Sequence, residues 1–326
     1  MNRGAVNRVT QVGIEATAGT TVAATKFTPT LSWMLKRERN TKTFRARGSK
    51  VPSTHVLHKT MSKGSVEGSL DYNSCMYIFN SLFNYDAGTL SSGAYLRSWT
   101  PGVRTADSTG KTFTIEDGDA TACEDYTYTK VISFELSASQ DDFGVKGNLL
   151  ARYPDDGQTL ASLSGSAVVA ERPIERKQVN LYIDSVYGSL GSTLITEALN
   201  ETITIPDKFK EFFVHNRTAG EFYDIVEIPY EPSFKFSTVH NAQSRTLIAS
   251  LTTNPYRWIR WEALGNVVGA SQEMLRFDMC CKFDTPEVVD GDDGPLGYDY
   301  NCTMMPDDTG LGSYMKITNV NALSAM

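Results

Sequence analysis

Along much of this chain apolar and polar residues alternate one by one, the spacing of half-buried β-strands. In Val131 to Gln140, VISFELSASQ, residues Ile132, Phe134, Leu136 and Ala138 fall on one face, opposite Ser133, Glu135 and Ser137. That pattern predicts a strand, a turn at Asp141-Asp142-Phe143-Gly144, and a second strand returning over Val145 to Arg152. Met274 to Phe283 alternates again, with Leu275, Phe277, Met279, Cys281 and Phe283 opposite Arg276, Asp278 and Lys282. Phe234 and Phe236 repeat the pattern in SFKFST, and Asp117-Gly118 after FTIE reads as a two-residue hairpin turn. Helical spacing is rare. It is clearest over Asn73 to Phe83, where Met76, Phe79, Leu82 and Phe83 recur every three or four residues behind Asn73 or Asp71 as cap. A weaker stripe, Leu247, Ile248 and Leu251, predicts a helix over Asn241 to Leu251. The fold class is mainly β.

The pattern also recurs at long range. VGIEATAGT (Val12 to Thr20) is echoed by LYIDSVYGS (Leu181 to Ser189), 169 residues later. Ser65 to Phe83 lines up with Ser233 to Leu251 at an offset of 168: Ser65, Ser69 and Asn73 match Ser233, Ser237 and Asn241, and Phe79 and Phe83 match Leu247 and Leu251. Pro154-Asp155-Asp156 and Pro306-Asp307-Asp308 each end a predicted hairpin. Three matches in one order predict a tandem duplication, with domains at 1–170 and 178–326 and the charged linker ERPIERK (171–177) as the seam.

With 326 residues, 40 % apolar and 21 % charged, the chain can bury real cores, which argues against wholesale disorder. A net charge of −7 and a pI near 5.2 argue against tight nonspecific nucleic-acid binding. The opening MNRGAVNRVTQVG lacks an apolar core, so no cleaved signal peptide is expected. No uncharged apolar run approaches the roughly 20 residues of a membrane span. Cys75, Cys123, Cys280, Cys281 and Cys302 show no CxxC spacing and read as reduced, mostly buried thiols of a cytoplasmic product. The sequons at Asn200, Asn216 and Asn301 then read as incidental.

Charge is segregated in two places. Lys36, Arg37, Arg39, Lys42, Arg45, Arg47 and Lys50 stand against one acid, Glu38. Between Asp284 and Asp308 there are eight acids, among them Asp290, Asp292 and Asp293, and no base. Each segment suits a solvated hairpin tip; together they suit complementary surfaces between copies of the protein.

Catalytic signatures fail on inspection. Gly110-Lys111-Thr112 resembles the end of a phosphate loop, but Thr105 stands where that loop needs Gly, and a strand rather than a helix follows. His55, His58, His215 and His240 are scattered without ligand spacing. Asp290-Gly-Asp-Asp-Gly lacks the alternating ligands and closing Glu of a calcium loop. Trp258 and Trp261, beside Arg257 and Arg260, fit core or interface packing better than base stacking in so acidic a chain. No catalytic residues, cofactor or metal are expected, and an enzyme is not.

GIEATAGTTVAATKF (Gly13 to Phe27), KVISFELSASQDDFGVKGNLLARYP (Lys130 to Pro154) and ITNVNAL (Ile317 to Leu323) resemble the opening, central hairpin and closing strand of the tail tube proteins (major tail proteins) of long, flexible-tailed bacteriophages. The chain is about twice the domain length of the commoner short members. The resemblance implies two tandem tail-tube-type β-sandwich or β-barrel domains, each with one flanking helix. It implies a virion structural protein, made in the host bacterial cytoplasm, whose rings stack into a hollow conduit for genome ejection. A two-domain chain would close a pseudo-hexameric ring as a homotrimer. Further implied partners are the tape-measure and tail terminator or tip proteins, and double-stranded DNA in transit past a lumen of carboxylates and hydroxyls, with no membrane insertion. The basic segment Lys36 to Lys50 corresponds to the family's inter-ring loop, expected to meet acids such as Asp290, Asp292 and Asp293. Two other readings fit the composition: a phage β-sandwich adhesin or capsid-decoration protein, and a carbohydrate-active enzyme using Asp141 and Asp142. Against the enzyme, acids adjacent in a turn do not flank one substrate from two sides.

Overall fold

The computed structural model describes residues 8–102, 108–119, 121–163, 165–215, 220–289, 296–324 and 326. The first half carries β1 (Val9–Ile14), β2 (Leu31–Phe44), β3 (Thr54–Ser69), α1 (Cys75–Leu82), β4 (Thr89–Ser91), β5 (Ala94–Trp99), β6 (Phe113–Gly118), β7 (Cys123–Val131), β8 (Phe134–Ala138), β9 (Phe143–Ala151) and β10 (Asp155–Gln158). The second carries β11 (Val179–Asp184), β12 (Leu194–Ile195), β13 (Ala198–Ile205), β14 (Phe209–Phe212), β15 (Asp224–Glu227), β16 (Ser233–Val239), α2 (Ala242–Thr253), β17 (Tyr256–Val268), β18 (Ser271–Phe283), β19 (Glu287–Val289), β20 (Gly297–Met304) and β21 (Met315–Asn321). All but the β14–β15 hairpin join one hydrogen-bonded network of 19 strands. The chain is mainly β, as its alternation predicts.

The same pairings occur in both halves. β1 pairs β6 as β11 pairs β17, β2 pairs β3 as β13 pairs β16, and β3 pairs β9 as β16 pairs β20. β6 pairs β7 as β17 pairs β18, and β7 reaches β9 and β10 as β18 reaches β20 and β21. β8 lies on β9 as β19 lies on β20. The echoed segments occupy equivalent strands: Val12 pairs with Ile115 in β6, and Leu181 with Trp261 in β17.

Each half is thereby two-layered. One layer runs β1–β6–β7–β10 or β11–β17–β18–β21; the other runs β2–β3–β9–β8 or β13–β16–β20–β19. β7 and β18 turn the corner, because only their last residues (Lys130 and Val131; Cys281, Lys282 and Phe283) pair with the other layer. The alternation puts apolar side chains between the layers: Leu275, Phe277, Met279, Cys281, Phe283, Phe234, Phe236, Leu136 and Ala138 are all buried. One hydrophobic cluster runs through both halves. The five cysteines are buried and unpaired in disulfides.

Several local expectations need correction. The alternating run over Val131 to Gln140 is two strands, broken at Ile132 and Ser133. There the Ile132 N–H donates to Asn148 O, its carbonyl accepts the Lys208 N–H, and Ser133 Oγ accepts the Asn148 N–H, so the backbone leaves one partner for another. Asp117 and Gly118 end β6 and do not turn. Asp119 turns instead: its N–H donates to Ala122 O at 2.9 Å, and its carboxylate accepts the Thr121 N–H at 2.6 Å. The α1 cap position is Ser74, whose N–H and that of Asn73 are held by the Asp71 carboxylate. α2 begins as predicted, at Asn241, in a reciprocal capping box with Ser244.

The seam is packed and not a tether. Ile174 is buried, its N–H donates to Leu70 O at 3.1 Å, and the Tyr72 N–H donates to Arg172 O at 3.0 Å. The two Pro-Asp-Asp triplets differ in their surroundings. Asp155 and Asp156 are exposed at the start of β10, whereas Asp307 is buried in the turn before β21.

Candidate functional site

The two halves meet strand to strand. β8 of the first half pairs antiparallel with β13 of the second, with Glu201 opposite Ala138, Thr202 opposite Ser137, Ile203 opposite Leu136, Thr204 opposite Glu135 and Ile205 opposite Phe134. The joint makes one run of eight neighbouring strands, β2–β3–β9–β8–β13–β16–β20–β19, in which a four-strand order occurs twice. One face of this run is core. The other presents Ser32, Ser65, Asn148, Ser137, Thr202, Thr204, Ser237, Asn301 and Thr303, none of them buried. Charges of both signs lie among them: Glu67, Glu135, Glu287 and Asp299 beside Lys146 and Lys235. Lys146 reaches Glu67 at 3.3 Å across β3 and β9. Hydrogen bonding by Ser65 and then Lys146 lowers the Glu67 carboxyl below its ordinary value.

The acids of the echoed strands have a common task. Glu15, at the end of β1, is buried and accepts N–H bonds from Gly19 (2.6 Å) and Tyr128 (2.8 Å) and hydroxyl bonds from Thr112 (2.6 Å) and Thr114 (3.1 Å). Asp184, at the end of β11, accepts the N–H groups of Gly191, Ser192 and Thr193 at 2.9–3.1 Å. Each carboxylate satisfies a loop that leaves its strand without ladder partners. The glycine match is displaced: Gly19 and Gly191, not Gly188, hold positive φ (77° and 96°) and donate to these acids.

The basic segment forms the far end of the β2–β3 hairpin. Lys36, Arg37, Arg39 and Lys42 lie on β2, and Arg45, Arg47 and Lys50 lie in the connection, all seven exposed. Arg37 and Arg39 are held back against the first half. Arg37 pairs with Glu124 at 2.8 Å and with Asp156, and the Arg37 and Arg39 guanidinium carbons stand 5.4 and 4.6 Å from the Tyr153 ring centroid. The hydrogen bond to Asp156 raises the Arg37 guanidinium further above its ordinary value. Arg45 folds back on Ser49 O at 2.6 Å.

Asp290, Asp292 and Asp293 lie outside the described residues, as does the whole of the calcium-like loop, 290–294. The acidic segment around them is not one uniform surface: Asp284 and Glu287 are exposed, but Asp307 is inside. Burial tends to raise the Asp307 carboxyl, and bonds from Trp258 Nε1, the Thr309 hydroxyl and the Leu311 and Thr309 N–H groups outweigh it, bringing the group down to about 2.

Other candidate chemistry is dispersed. Asp141 and Asp142 are exposed in a turn tied by Ser139 Oγ; His55 and His58 are exposed on β3, and His215 is exposed outside it. The His240 ring lies tilted against that of Tyr298, with centroids 5.3 Å apart. Trp261 is buried against Phe277, and Trp258 is half-buried. Among the described residues no cluster of three His, Cys, Asp or Glu could hold a metal, and no helix is long and apolar enough to cross a membrane.

Two features escaped the sequence reading. Lys208, with a fully buried side chain, donates to Ser108 Oγ (2.6 Å) and Leu82 O (3.5 Å) and reaches Glu227 at 3.3 Å; burial lowers it. Lys130 is buried beside it, 4.5 Å from the Phe209 ring centroid; burial and the Lys208 charge lower it to about 8. Lys130 is the penultimate residue of β7, and Lys208 lies in the connection after β13. Neither position differs from a surface lysine by spacing alone.

No family model matches the chain, and no curated protein matches it.

Proposed function

We propose that this is a two-domain tail tube protein of a long-tailed bacteriophage, whose rings stack into the hollow conduit for genome ejection. The observation that carries the reading is the eight-strand run with its four-strand order used twice, core on one face and hydroxyls, amides and mixed charges on the other. A sheet with that polarity can continue from copy to copy as the wall of a channel, and closure removes its open edges. In this reading the two halves are tandem domains, each filling one of six places, and three chains complete a ring.

The lumen is the polar face of the run. The carboxylate and hydroxyl lining that the resemblance implies is modified by Lys146 and Lys235. The Lys146–Glu67 pair keeps one of those charges balanced. A surface of short hydroxyls and compensated charge offers phosphate few fixed contacts, so DNA slides past it. The exposed β2–β3 hairpin extends beyond its sheet and supplies the contact to the next ring, with Arg45, Arg47 and Lys50 furthest out.

Negative-stain microscopy of the purified chain tests this directly. The expected result is hollow tubes of regular ring spacing. Featureless monomers at high protein concentration would overturn the proposal.

A further inference from the structure

Two of the five buried thiols share one patch of core. β18 pairs with β20 only where it turns the corner, with Cys281 opposite Met304, Lys282 opposite Thr303 and Phe283 opposite Cys302. Cys281 and Cys302 are therefore diagonal neighbours on adjacent antiparallel strands, and their side chains lie on one face. That face is core: Cys281 is 0 % exposed and Cys302 2 %. Cys280, one residue earlier, belongs to the opposite face. Burial first, and then its hydrogen bond to the Cys302 side chain, raises the Cys281 thiol well above its ordinary value. The Cys302 thiol in turn donates to Phe234 O at 3.1 Å.

The first half gives the separation at this corner. Phe234 is paired to Cys302 as Val66 is paired to Gly147, and Cys281 is paired to Met304 as Val131 is paired to Leu149. Gly147 and Val131 are thus the counterparts of Cys302 and Cys281. A Cβ added at Gly147 lies 3.2 Å from Val131 Cγ1. The sulfur of cysteine stands at the same γ position, and in a disulfide each sulfur is roughly 3 Å from the partner's Cβ. An ordinary diagonal pair, about 7–8 Å apart at Cα, is at the limit of that bond. The bent corner brings its diagonal pair within reach.

We infer that Cys281 and Cys302 are a latent redox staple, a dithiol under reducing conditions and a disulfide joining β18 to β20 when a small disulfide such as oxidised glutathione is supplied. One cysteine thiolate attacks a sulfur of the oxidant, forming a mixed disulfide and releasing a glutathione thiolate. The other cysteine thiolate attacks the protein sulfur of that mixed disulfide and releases the second. One S–S bond breaks for each that forms: the cysteines are oxidised, and oxidised glutathione is reduced to two glutathiones that take up the two thiol protons. Burial shields both sulfurs in the closed fold, so exchange occurs while the corner forms or opens. The bond closes residues 282–301 into a loop and ties the two layers of the second half where β18 passes between them. Valine and glycine leave the first half without a counterpart. The staple is independent of the function proposed above.

The test refolds the full chain from urea in glutathione buffers of rising oxidised fraction, then denatures it, alkylates the free thiols and maps the peptides by mass spectrometry. All five cysteines should be alkylated from reducing buffer. From oxidising buffer only Cys75, Cys123 and Cys280 should be, with Cys281 and Cys302 recovered as one linked peptide. The thermal midpoint should rise on oxidation and return with reductant. Cys281→Val, which installs the residue of the first half, should show neither the link nor the redox-dependent midpoint. Five alkylated cysteines from oxidising buffer, glutathione adducts alone, or a link through any other cysteine would overturn the staple. So would a Cys281–Cys302 link that leaves the midpoint unmoved, since the bond would then fasten nothing.

Discussion

The two halves use one plan of strand pairing and differ most in how they treat the helix. Every residue of α1 is buried. Phe79 meets Trp99 and Phe134 at 5.2 Å, and Phe277 of the second half at 5.8 Å, so α1 lies inside the junction between the halves. In α2 only Ser244 and Leu251 are buried, and the helix covers the outside of its own half. The same step in the topology gives an internal pillar in one place and a lid in the other, because only the first helix has a second sheet on its far side. Edges differ as well. β13 is covered by β8, whereas β2, in the same position, has only β3 beside it among the described residues.

The comparison can be broken at the helices first. Phe79→Ala should cost about 3–5 kcal/mol and Leu251→Ala about 2 kcal/mol in chemical denaturation, since the first leaves a cavity walled on several sides. Equal losses would mean that α1 is not the junction. The strand-end acids come next. Glu15→Ala leaves two hydroxyls and two N–H groups without their acceptor, and about 3 kcal/mol of stability should go. Asp184→Ala strands only backbone donors of a more open loop and should cost about half as much. Hydrogen exchange at Gly19 and Gly191 reports each loop separately.

Lys130 sharpens the contrast through pH. Its counterpart in the second half is Cys280, a neutral thiol that burial, then Asp307, raises to about 11. Lys130 is lowered from 10.5 to about 8 in the folded chain. Below about pH 8 it is charged in both states and its full desolvation cost is present; as pH rises from there to 10.5 the folded state sheds its proton first and stability increases. Lys130→Met should therefore stabilise the chain at pH 7, by up to about 3 kcal/mol, and the advantage should vanish by about pH 10.5. Thermal melts of both proteins across that range check the sign. The smallest effect on folding belongs to the hairpin tip. Reversing Arg45 and Arg47 to Glu should leave the melting temperature unchanged, since both are exposed, yet impair tube formation in microscopy and sedimentation. Unimpaired tubes would remove the hairpin from the contact between rings.

The local pattern was legible where it was periodic. Leu275 to Phe283 and Phe234 to Phe236 announce their faces, and Asn241 announces the α2 cap, because alternation and capping are short-range rules. The echo of Val12 to Thr20 in Leu181 to Ser189 identified equivalent strands, since both must end on an acid that ties the following loop. The same rules failed at Ile132 and Ser133, where a periodic run changes partners at Asn148 and Lys208, residues distant in sequence. They failed again at Asp117-Gly118, where strand pairing extended through residues with turn propensity.

By itself the sequence determined the β class, the two helices, the twofold use of one segment order and the exposed basic hairpin, all set by neighbours within a few residues of each other. Tertiary structure decided that the halves share one core, that β8 lies on β13, that Lys130 and Lys208 are inside, and which edges have no neighbour among the described residues. Those outcomes depend on which strand finds which partner across more than a hundred residues, and no local spacing encodes that choice. A strand's hydrophobic face is written in its own residues; its edge is written in whatever stands beside it.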